Sequence, residues 1–225
     1  MRKFFPLLFS LIVILSSCGP DHIPEGELNY DITYPHMEVT GLMAAILPKE
    51  MTIIFKGTKM KTIISRGKIF QTEVITDEKD NSIEMRLDFG DKKYFCELTK
   101  EEIEQLKNTQ PDYTVTKTNE SDSLFGVLAY KYEVSGTDSI QPGDAWFTED
   151  LEVQKGAWFS AYKDVQGMPI IYDVERYGLL MRVEANSFIE REVKDKEFDR
   201  DPDLRKVDFK TYESEIQELF DILLE

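Results

Sequence analysis

The chain has 225 residues, of which 41% are hydrophobic and 31% are charged, and its formal net charge is −16. The hydrophobic residues, including 14 Phe and 10 Tyr, are too many for a disordered chain, and the length favours a single domain. So negative a protein repels phosphate groups, which excludes nucleic acid as an expected partner.

Residues 1–17 have the pattern of a secretory signal peptide. Arg2 and Lys3 precede an apolar run, and two serines follow it. The run is shorter than the roughly 20 residues that a transmembrane helix needs. The segment Leu15-Ser16-Ser17-Cys18 resembles the lipobox of bacterial lipoproteins, which implies lipid on the Cys18 sulfur and cleavage before it. The alternative is an ordinary secreted protein in which this cysteine is accidental.

The leader therefore predicts a lipoprotein that is attached to a membrane of the cell envelope through Cys18. Two or more acyl chains give durable attachment, whereas one chain anchors only marginally. Residues 18–25 contain two prolines and no apolar period, so we expect a lipidated cysteine followed by a short tether. Gly19 is not the aspartate associated with inner-membrane retention, which favours the outer membrane. Residues 26–225 are expected to form one β-rich domain. The sequence does not indicate its oligomeric state.

Alternation of apolar and polar residues predicts strands along most of this domain. The segment GELNYDITY places Leu28, Tyr30 and Ile32 on one face, and SIEMRLDFG (82–90) repeats the pattern with Arg86 on the polar face. Short polar turns between neighbouring segments indicate antiparallel hairpins. The other predicted strands are EMTIIFKG, TKMKTIISR, GKIFQTEVITD, KKYFCELT, DYTVTK, GVLAYKYEV, AWFTEDL, MPIIYDVERY and LLMRVEANSFIEREV.

Two helices are predicted. Thr99 and Glu102 form a capping box that begins a short helix. Apolar residues between Phe209 and Leu224 recur with the spacing of one helical stripe, and a charged connection, residues 199–206, precedes them. A sheet with one apolar face has to cover it by curling or by packing a helix on it. We therefore predict a mainly β protein, a strongly curved antiparallel sheet (an incomplete barrel) with one short helix and one C-terminal amphipathic helix.

The segment GLMAAILP (41–48) interrupts the alternation, because it is apolar throughout. One interpretation is a buried strand or a loop folded into the core. The other is a flexible lip at the mouth of an apolar cavity, in which Leu42, Met43, Ile46 and Leu47 would contact a ligand. Methionine adapts well to varied apolar partners.

No group of residues predicts a catalytic, metal or cofactor site. The two histidines, His22 and His36, fall in loop segments, and Cys96 has the pattern of a buried, inert thiol. Nucleophile-elbow and phosphate-loop motifs do not occur. Carboxylates are so abundant that pairs arise by chance. The Trp-Phe pairs at 146–147 and 158–159 suit either the core or a cavity wall.

The order of several segments resembles a known family. They are EMTIIFKGTKMKTIIS, DFGDKKYFCELTKEE, LFGVLAYKYEV, AWFTEDL and QGMPIIYDVE, and together they resemble the LolA-like or GLPGLI-like secreted bacterial proteins over residues 26–195. Ala129, Tyr132 and Met168 replace the Gly, Cys and Leu that are common in that family. The resemblance implies a half-barrel with helices in its open side. In LolA-like proteins that concavity binds acyl chains or the anchor of a lipoprotein, and no catalytic residue comes with the family.

Three hypotheses follow for the function. The first is an anchored, non-enzymatic module whose half-barrel binds a lipid or a lipoprotein segment. The second is a structural or interaction lipoprotein without a small ligand, and the third is a hydrolase that uses carboxylates. A concave face filled by large side chains would remove the basis of the first hypothesis, while two carboxyl groups buried together in a cleft would support the third.

Overall fold

The computed structural model describes residues 22–67, 69–136 and 141–224, except for the side chains of residues 42 and 222–224. The predicted signal peptide and Cys18 lie outside the described residues. Within the described part, pairing with the domain begins at Ile23, whose backbone bonds to Asp150 and Glu152. The domain thus begins slightly before position 26. None of the helices in this part of the chain is both long and apolar enough to cross a membrane.

The described residues form one sheet of twelve strands and three α-helices. The helices are α1 (Gly41–Ile46), α2 (Lys100–Asn108) and α3 (Phe209–Leu224), with a 3₁₀ turn at Asp195–Phe198. The strands are β1 (Glu25–Thr33), β2 (Glu50–Lys56), β3 (Lys59–Arg66), β4 (Phe70–Asp77), β5 (Ser82–Phe89), β6 (Lys92–Glu97), β7 (Tyr113–Leu124), β8 (Val127–Gly136), β9 (Ala145–Thr148), β10 (Met168–Arg176), β11 (Leu179–Glu190) and β12 (Arg205–Lys206).

The strand order is β12-β6-β5-β4-β3-β2-β1-β11-β10-β9-β8-β7. Two meanders, β1 to β6 and β7 to β11, therefore join where β1 pairs with β11. All neighbours are antiparallel except β12, which lies parallel to β6. The sheet does not close, since β7 and β12 are its two ends. The predicted antiparallel, unclosed sheet is confirmed.

The sheet is curved around its apolar face. Met85 on β5 and Val174 on β10 line the same cavity. Six strand spacings separate these strands in the order, which is roughly 29 Å in a flat sheet. The tyrosine hydroxyl of Tyr172 on β10 also reaches the sulfur of Met51 on β2, at 3.9 Å. Only a curved sheet brings such distant strands together over one concave face.

Large side chains fill one half of the concave face. Tyr162 lies at the centre of an aromatic cluster and contacts the rings of Tyr113, Phe147 and Tyr172 at 5.6–6.1 Å between centroids. It belongs to the loop 151–167, which follows β9 and packs on this half of the sheet, and Lys107 of α2 lies over the Trp158 ring of the same loop. The concave face is thus partly filled, and the space that is left lies over the strands of the first meander and under α3.

The convex face is covered by a segment that we call the strap, residues 191–204. It runs from the end of β11 across β1 to β6 and leads into β12. Lys56 binds the Val193 carbonyl at 3.0 Å, and Lys61 binds the Glu197 carbonyl at 3.2 Å. Arg86 donates to the carbonyls of Phe198 and Asp199, each at 2.8 Å. The polar face of the sheet is therefore only partly solvated, because the strap buries Arg86.

Most predicted elements agree with the structure, and two differ. The capping box of Thr99 and Glu102 is present, and α3 has the predicted bounds Phe209–Leu224. β7 extends to Leu124, well past the predicted DYTVTK, through a bulge that interrupts its pairing with β8. The strand interpretation of residues 41–48 is wrong, because Gly41–Ile46 forms a short helix.

Candidate ligand cavity

A cavity of about 180 Å³ lies between the concave face of the sheet and α3. Its walls are the inward-facing side chains of the first meander and of β10 and β11, the loop 151–167, and one face of α3. The described lining residues are Pro48, Met51, Ile53, Met60, Thr62, Ile64, Phe70, Thr72, Val74, Met85, Gln110, Gly156, Ala157, Phe159, Ser160, Pro169, Tyr172, Val174, Arg176, Tyr177, Met181, Tyr212, Ile216 and Phe220.

The sheet wall is apolar because of strand alternation. Along β4 the residues at positions 70, 72 and 74 face the cavity, while Gln71 and Glu73 between them face the strap. Two threonines on β3 and β4 are the polar exceptions among these strands, and each also presents a methyl group. Such a wall excludes ordered water and favours hydrocarbon, since apolar cavities stay dry unless polar partners are present.

Helix α3 forms the remaining wall. Tyr212, Ile216 and Phe220 share one face of the helix and line the cavity. The Tyr212 hydroxyl donates to the backbone carbonyl of Arg86 at 3.1 Å, a buried bond that fixes the start of the helix to β5. In addition, Lys92 of β6 binds the carboxylate of Glu215 at 2.6 Å. The amphipathic pattern of α3 therefore serves to close a cavity.

The β10–β11 turn forms the mouth of the cavity. Tyr177 and Gly178 both have positive φ, 53° and 73°, which is the two-residue turn that matches the twist of a hairpin. A positive φ is uncommon for an aromatic residue, and its contacts hold it there. The Tyr177 ring stacks on Phe220 of α3 with 4.9 Å between centroids, and its hydroxyl contacts the Glu213 carboxylate at 3.3 Å. Burial raises the pKa of this tyrosine.

One cation lies at this mouth. Arg176 ends β10 on the same face as Tyr172 and Val174, and its Nη2 donates to Glu213 Oε1 of α3 at 2.7 Å. Its guanidinium carbon lies 5.0 Å from the centre of the Tyr177 ring. The apolar cavity thus ends at an arginine that also ties α3 to the sheet.

A second, polar groove of about 280 Å³ adjoins the mouth. Gln110, Arg176 and Tyr177 line both spaces. The groove continues between α2 and α3, where Glu213 and Gln217 line it. An apolar interior that leads through an arginine to a polar exit is an amphipathic site.

The predicted ligand-contact residues lie beside the cavity. Met43 packs against the core from α1, and Leu47 is buried. Pro48, directly after them, lines the cavity, whereas Met43, Ile46 and Leu47 are not among its described lining residues. The side chain of Leu42 lies outside the described residues. Contact of these four residues with a ligand stays a prediction.

Sequence reasoning missed the residues that line the cavity. Their strands were predicted, yet a strand pattern does not say which part of an apolar face stays unfilled. Phe159, which the sequence left open between core and cavity wall, lines the cavity, while Phe147 of the other Trp-Phe pair is in the core. Arg176 offered one signal, because it falls on the apolar face of its predicted strand.

The other side chains that could take part in chemistry, a cysteine and two glutamates, are buried or held in ion pairs. Cys96 is buried against Met85, and burial raises the pKa of its thiol to about 12, which agrees with an inert thiol. Glu73 and Glu84 both bind Arg86. Burial acts to raise the pKa of Glu84, but hydrogen bonds from Arg200 and Arg86 hold it below its ordinary value. This carboxylate is thus unsuited to be a general acid near neutral pH.

Metal ligands do not cluster in the described part of the chain, where groups of three or more His, Cys, Asp or Glu able to hold an ion are absent. Both histidines are exposed. No protein-family model matches the chain, and no curated protein matches it.

Among solved structures, the chain is similar to a LolA superfamily protein from Nitrosomonas europaea. The two are 13% identical, the match covers 79% of this chain and 91% of that chain, and the TM-score is 0.22. At so low a TM-score the two backbones superimpose poorly. The architecture described above therefore follows from the strand pairing of this chain itself.

Proposed function

We propose that the protein is an envelope lipoprotein, anchored to a membrane through Cys18, whose half-barrel binds an apolar ligand such as an acyl chain or a lipoprotein segment. The cavity under α3 is the observation that carries this proposal. Ligand sites of this kind are concave, mostly apolar and equipped with few polar groups. The proposal needs no catalytic step.

The volume of the cavity limits what fits without movement. An engineered cavity of about 150 Å³ binds benzene, so about 180 Å³ accommodates a short apolar segment. A longer acyl chain requires that a wall move. The movable walls are α3 and the turns at 156–160, because the opposite wall is a sheet whose hydrogen-bonded strands hold one another in place.

The anchor is the second part of the proposal and rests on the lipobox-like segment that ends at Cys18. A short stretch separates this cysteine from Ile23, the first of the described residues to pair with the domain. An anchored domain would therefore stay close to the membrane surface, which is a source of acyl chains. Mass spectrometry of the mature amino-terminal peptide tests this part separately, since lipid on Cys18 adds the mass of its acyl groups.

Native mass spectrometry tests the ligand. The form that lacks residues 1–18 contains every described strand and helix, and it is to be purified gently from its own host. We expect a fraction of the protein to carry a lipid, and the variant Val74→Phe, which fills the cavity from β4, to carry less. Ile75→Phe, on the opposite face of the same strand, is the matched control and keeps the lipid. Protein of clean apo mass would contradict the proposal and favour an interaction protein.

A further inference from the structure

The mouth of the cavity carries more hydrogen-bonding capacity than its described contacts use. A guanidinium has five N–H donors in a planar fork. In the described structure, Arg176 uses one of them on Glu213 and also interacts with the hydroxyl of Tyr177, so donors are left over. The guanidinium nevertheless lines both the apolar cavity and the polar groove, and its side chain keeps 27% of its surface exposed. A cation with spare donors at the end of a hydrocarbon-lined space fits an acceptor group attached to a hydrocarbon.

We propose, on the basis of the proposed function, that the ligand is a single-chain amphiphile with a carboxylate headgroup. Its chain would lie in the cavity, and its carboxylate would bind the Arg176 guanidinium. The volume of about 180 Å³ suits one chain and not two. A carboxylate has the planar, two-oxygen geometry that an arginine fork binds with two parallel hydrogen bonds.

The charges around the mouth favour a small anion over a large one. Glu175 and Glu213 line the polar groove with Arg176, so the groove is net negative. A headgroup with several negative charges would meet both glutamates, whereas a single carboxylate is held at the arginine. Hydrogen bonds to charged groups contribute more than neutral ones, so the carboxylate is the part of the ligand that this site selects.

Binding would replace the carboxylate of Glu213 on Arg176 by the carboxylate of the ligand. Glu213 of α3 occupies the arginine in the described structure at 2.7 Å, and it also contacts the Tyr177 hydroxyl. Its side chain is 31% exposed, so it stays hydrated when it leaves the arginine. The exchange removes one tie between α3 and the sheet. Headgroup binding thereby loosens, without freeing, the wall that has to move for a longer chain, since Tyr212 and Phe220 keep their contacts with the sheet.

A pair of photoreactive ligands tests this inference on the full chain in lipid nanodiscs. The probes are a diazirine-bearing fatty acid and the fatty alcohol of the same chain, used above neutral pH so that the acid is ionised. Labelled peptides of β3, β4 and α3 report binding in the cavity, and labelling at increasing probe concentration gives the apparent affinity. We expect the acid to bind about tenfold more tightly than the alcohol, as one charge-assisted interaction implies.

Two variants and a control locate the effect. Arg176→Met keeps the apolar stem, and it should lower the affinity for the acid to that of the alcohol while leaving the alcohol unchanged. Glu213→Gln removes the competing carboxylate, and it should raise the affinity for the acid, a result that misfolding cannot mimic. Arg205→Met is the matched control on the exposed strand β12, and it should change neither probe.

The outcomes separate this inference from the proposed function. Equal labelling by acid and alcohol, unchanged in Arg176→Met, would overturn the carboxylate inference and leave an apolar-ligand site in place. Failure of both probes to label cavity peptides would overturn the proposed function and the inference with it. A lower affinity for the acid in Glu213→Gln would contradict the exchange of carboxylates.

Discussion

Replacement of Arg86 by methionine tests whether the strap holds the sheet in its curved form. Arg86 lies on β5, and only 6% of its side chain is exposed. It binds the carboxylates of Glu73 at 2.9 Å and Glu84 at 2.6 Å, and it donates to the two strap carbonyls of Phe198 and Asp199. It is therefore the main polar link between the middle of the sheet and the strap.

The expected loss of unfolding free energy follows from these contacts. Removal of one partner from a buried ion pair costs about 3–5 kcal/mol, because the other charge is left uncompensated. Here Glu73 keeps Lys61 at 2.8 Å and Glu84 keeps Arg200, so neither carboxylate is left alone. The two strap carbonyls, however, lose their donor. We therefore expect Arg86→Met to lower the free energy of unfolding by about 3 kcal/mol, the low end of that range.

Urea denaturation followed by circular dichroism measures this loss, and limited proteolysis reports where it acts. The strap should be cut faster in Arg86→Met at its basic residues, among them Lys194 and Lys196. Lys93→Met is the control, because Lys93 pairs with Asp88 at 3.4 Å and the two side chains are 39% and 48% exposed, which limits the loss to about 1 kcal/mol or less. A loss this small in Arg86→Met, with unchanged proteolysis, would refute the role of the strap.

Three further predictions concern the mouth, the strap and the buried thiol. Tyr177→Asn keeps a residue that tolerates positive φ but removes the ring that stacks on Phe220. Amide hydrogen exchange in α3 should therefore become about fivefold faster. Unchanged exchange would show that the stacking contributes nothing to the stability of the helix. Hydrogen bonds from Arg191 lower the pKa of Glu197 to about 2. The free energy of unfolding lost in Arg191→Gln should therefore be constant above about pH 4.3, the pKa of a glutamate in the unfolded chain, and shrink as the pH falls towards 2. Denaturation curves recorded at a series of pH values measure this loss. Cys96 of the form lacking residues 1–18 should resist thiol reagents at mildly alkaline pH until denaturant is added, and rapid labelling of the folded protein would contradict its burial.

The elements of the sheet could be predicted because each strand carries a local signal. Leu28, Tyr30 and Ile32 alternate with polar neighbours, and the structure buries all three. Thr99 and Glu102 carry the capping box within four residues of chain. Signals of this kind depend on neighbours in sequence, so they can be recognised without knowledge of the tertiary contacts.

The helix at Gly41–Ile46 could not be predicted in the same way. Its six residues are too few for a helical period to show, and an apolar run of that length is equally compatible with a buried strand. Isolated helices so short are unstable in water, so packing decides their conformation. The contact of α1 with α3 supplies such packing, and α3 is far away along the chain.

The cavity was beyond sequence reasoning for a different reason. Strand alternation shows that Val74 and Met85 face the concave side, and α3 has an apolar stripe, but both patterns are the same in a filled core. An unfilled volume depends on how closely the helix approaches the sheet. That distance is set here by long-range contacts such as the bond from Tyr212 to the Arg86 carbonyl, which joins residues that are 126 positions apart.

The same residue, Arg86, connects the two faces of the sheet. Its side chain holds the strap on the convex face, and its carbonyl accepts the hydroxyl of Tyr212 from α3 on the concave face. The strap and α3 are consecutive in the chain, joined through β12 at the edge of the sheet. Residues 191–224 therefore wrap the first meander from both sides. Tyr212 and Glu213 are adjacent in α3, so the bond to β5 and the ion pair with Arg176 hold the same turn at the start of the helix. A ligand that displaces Glu213 would thus remove one of two contacts at this turn, while the Tyr212 hydroxyl still holds the helix to β5 and the Tyr177 ring still stacks on Phe220.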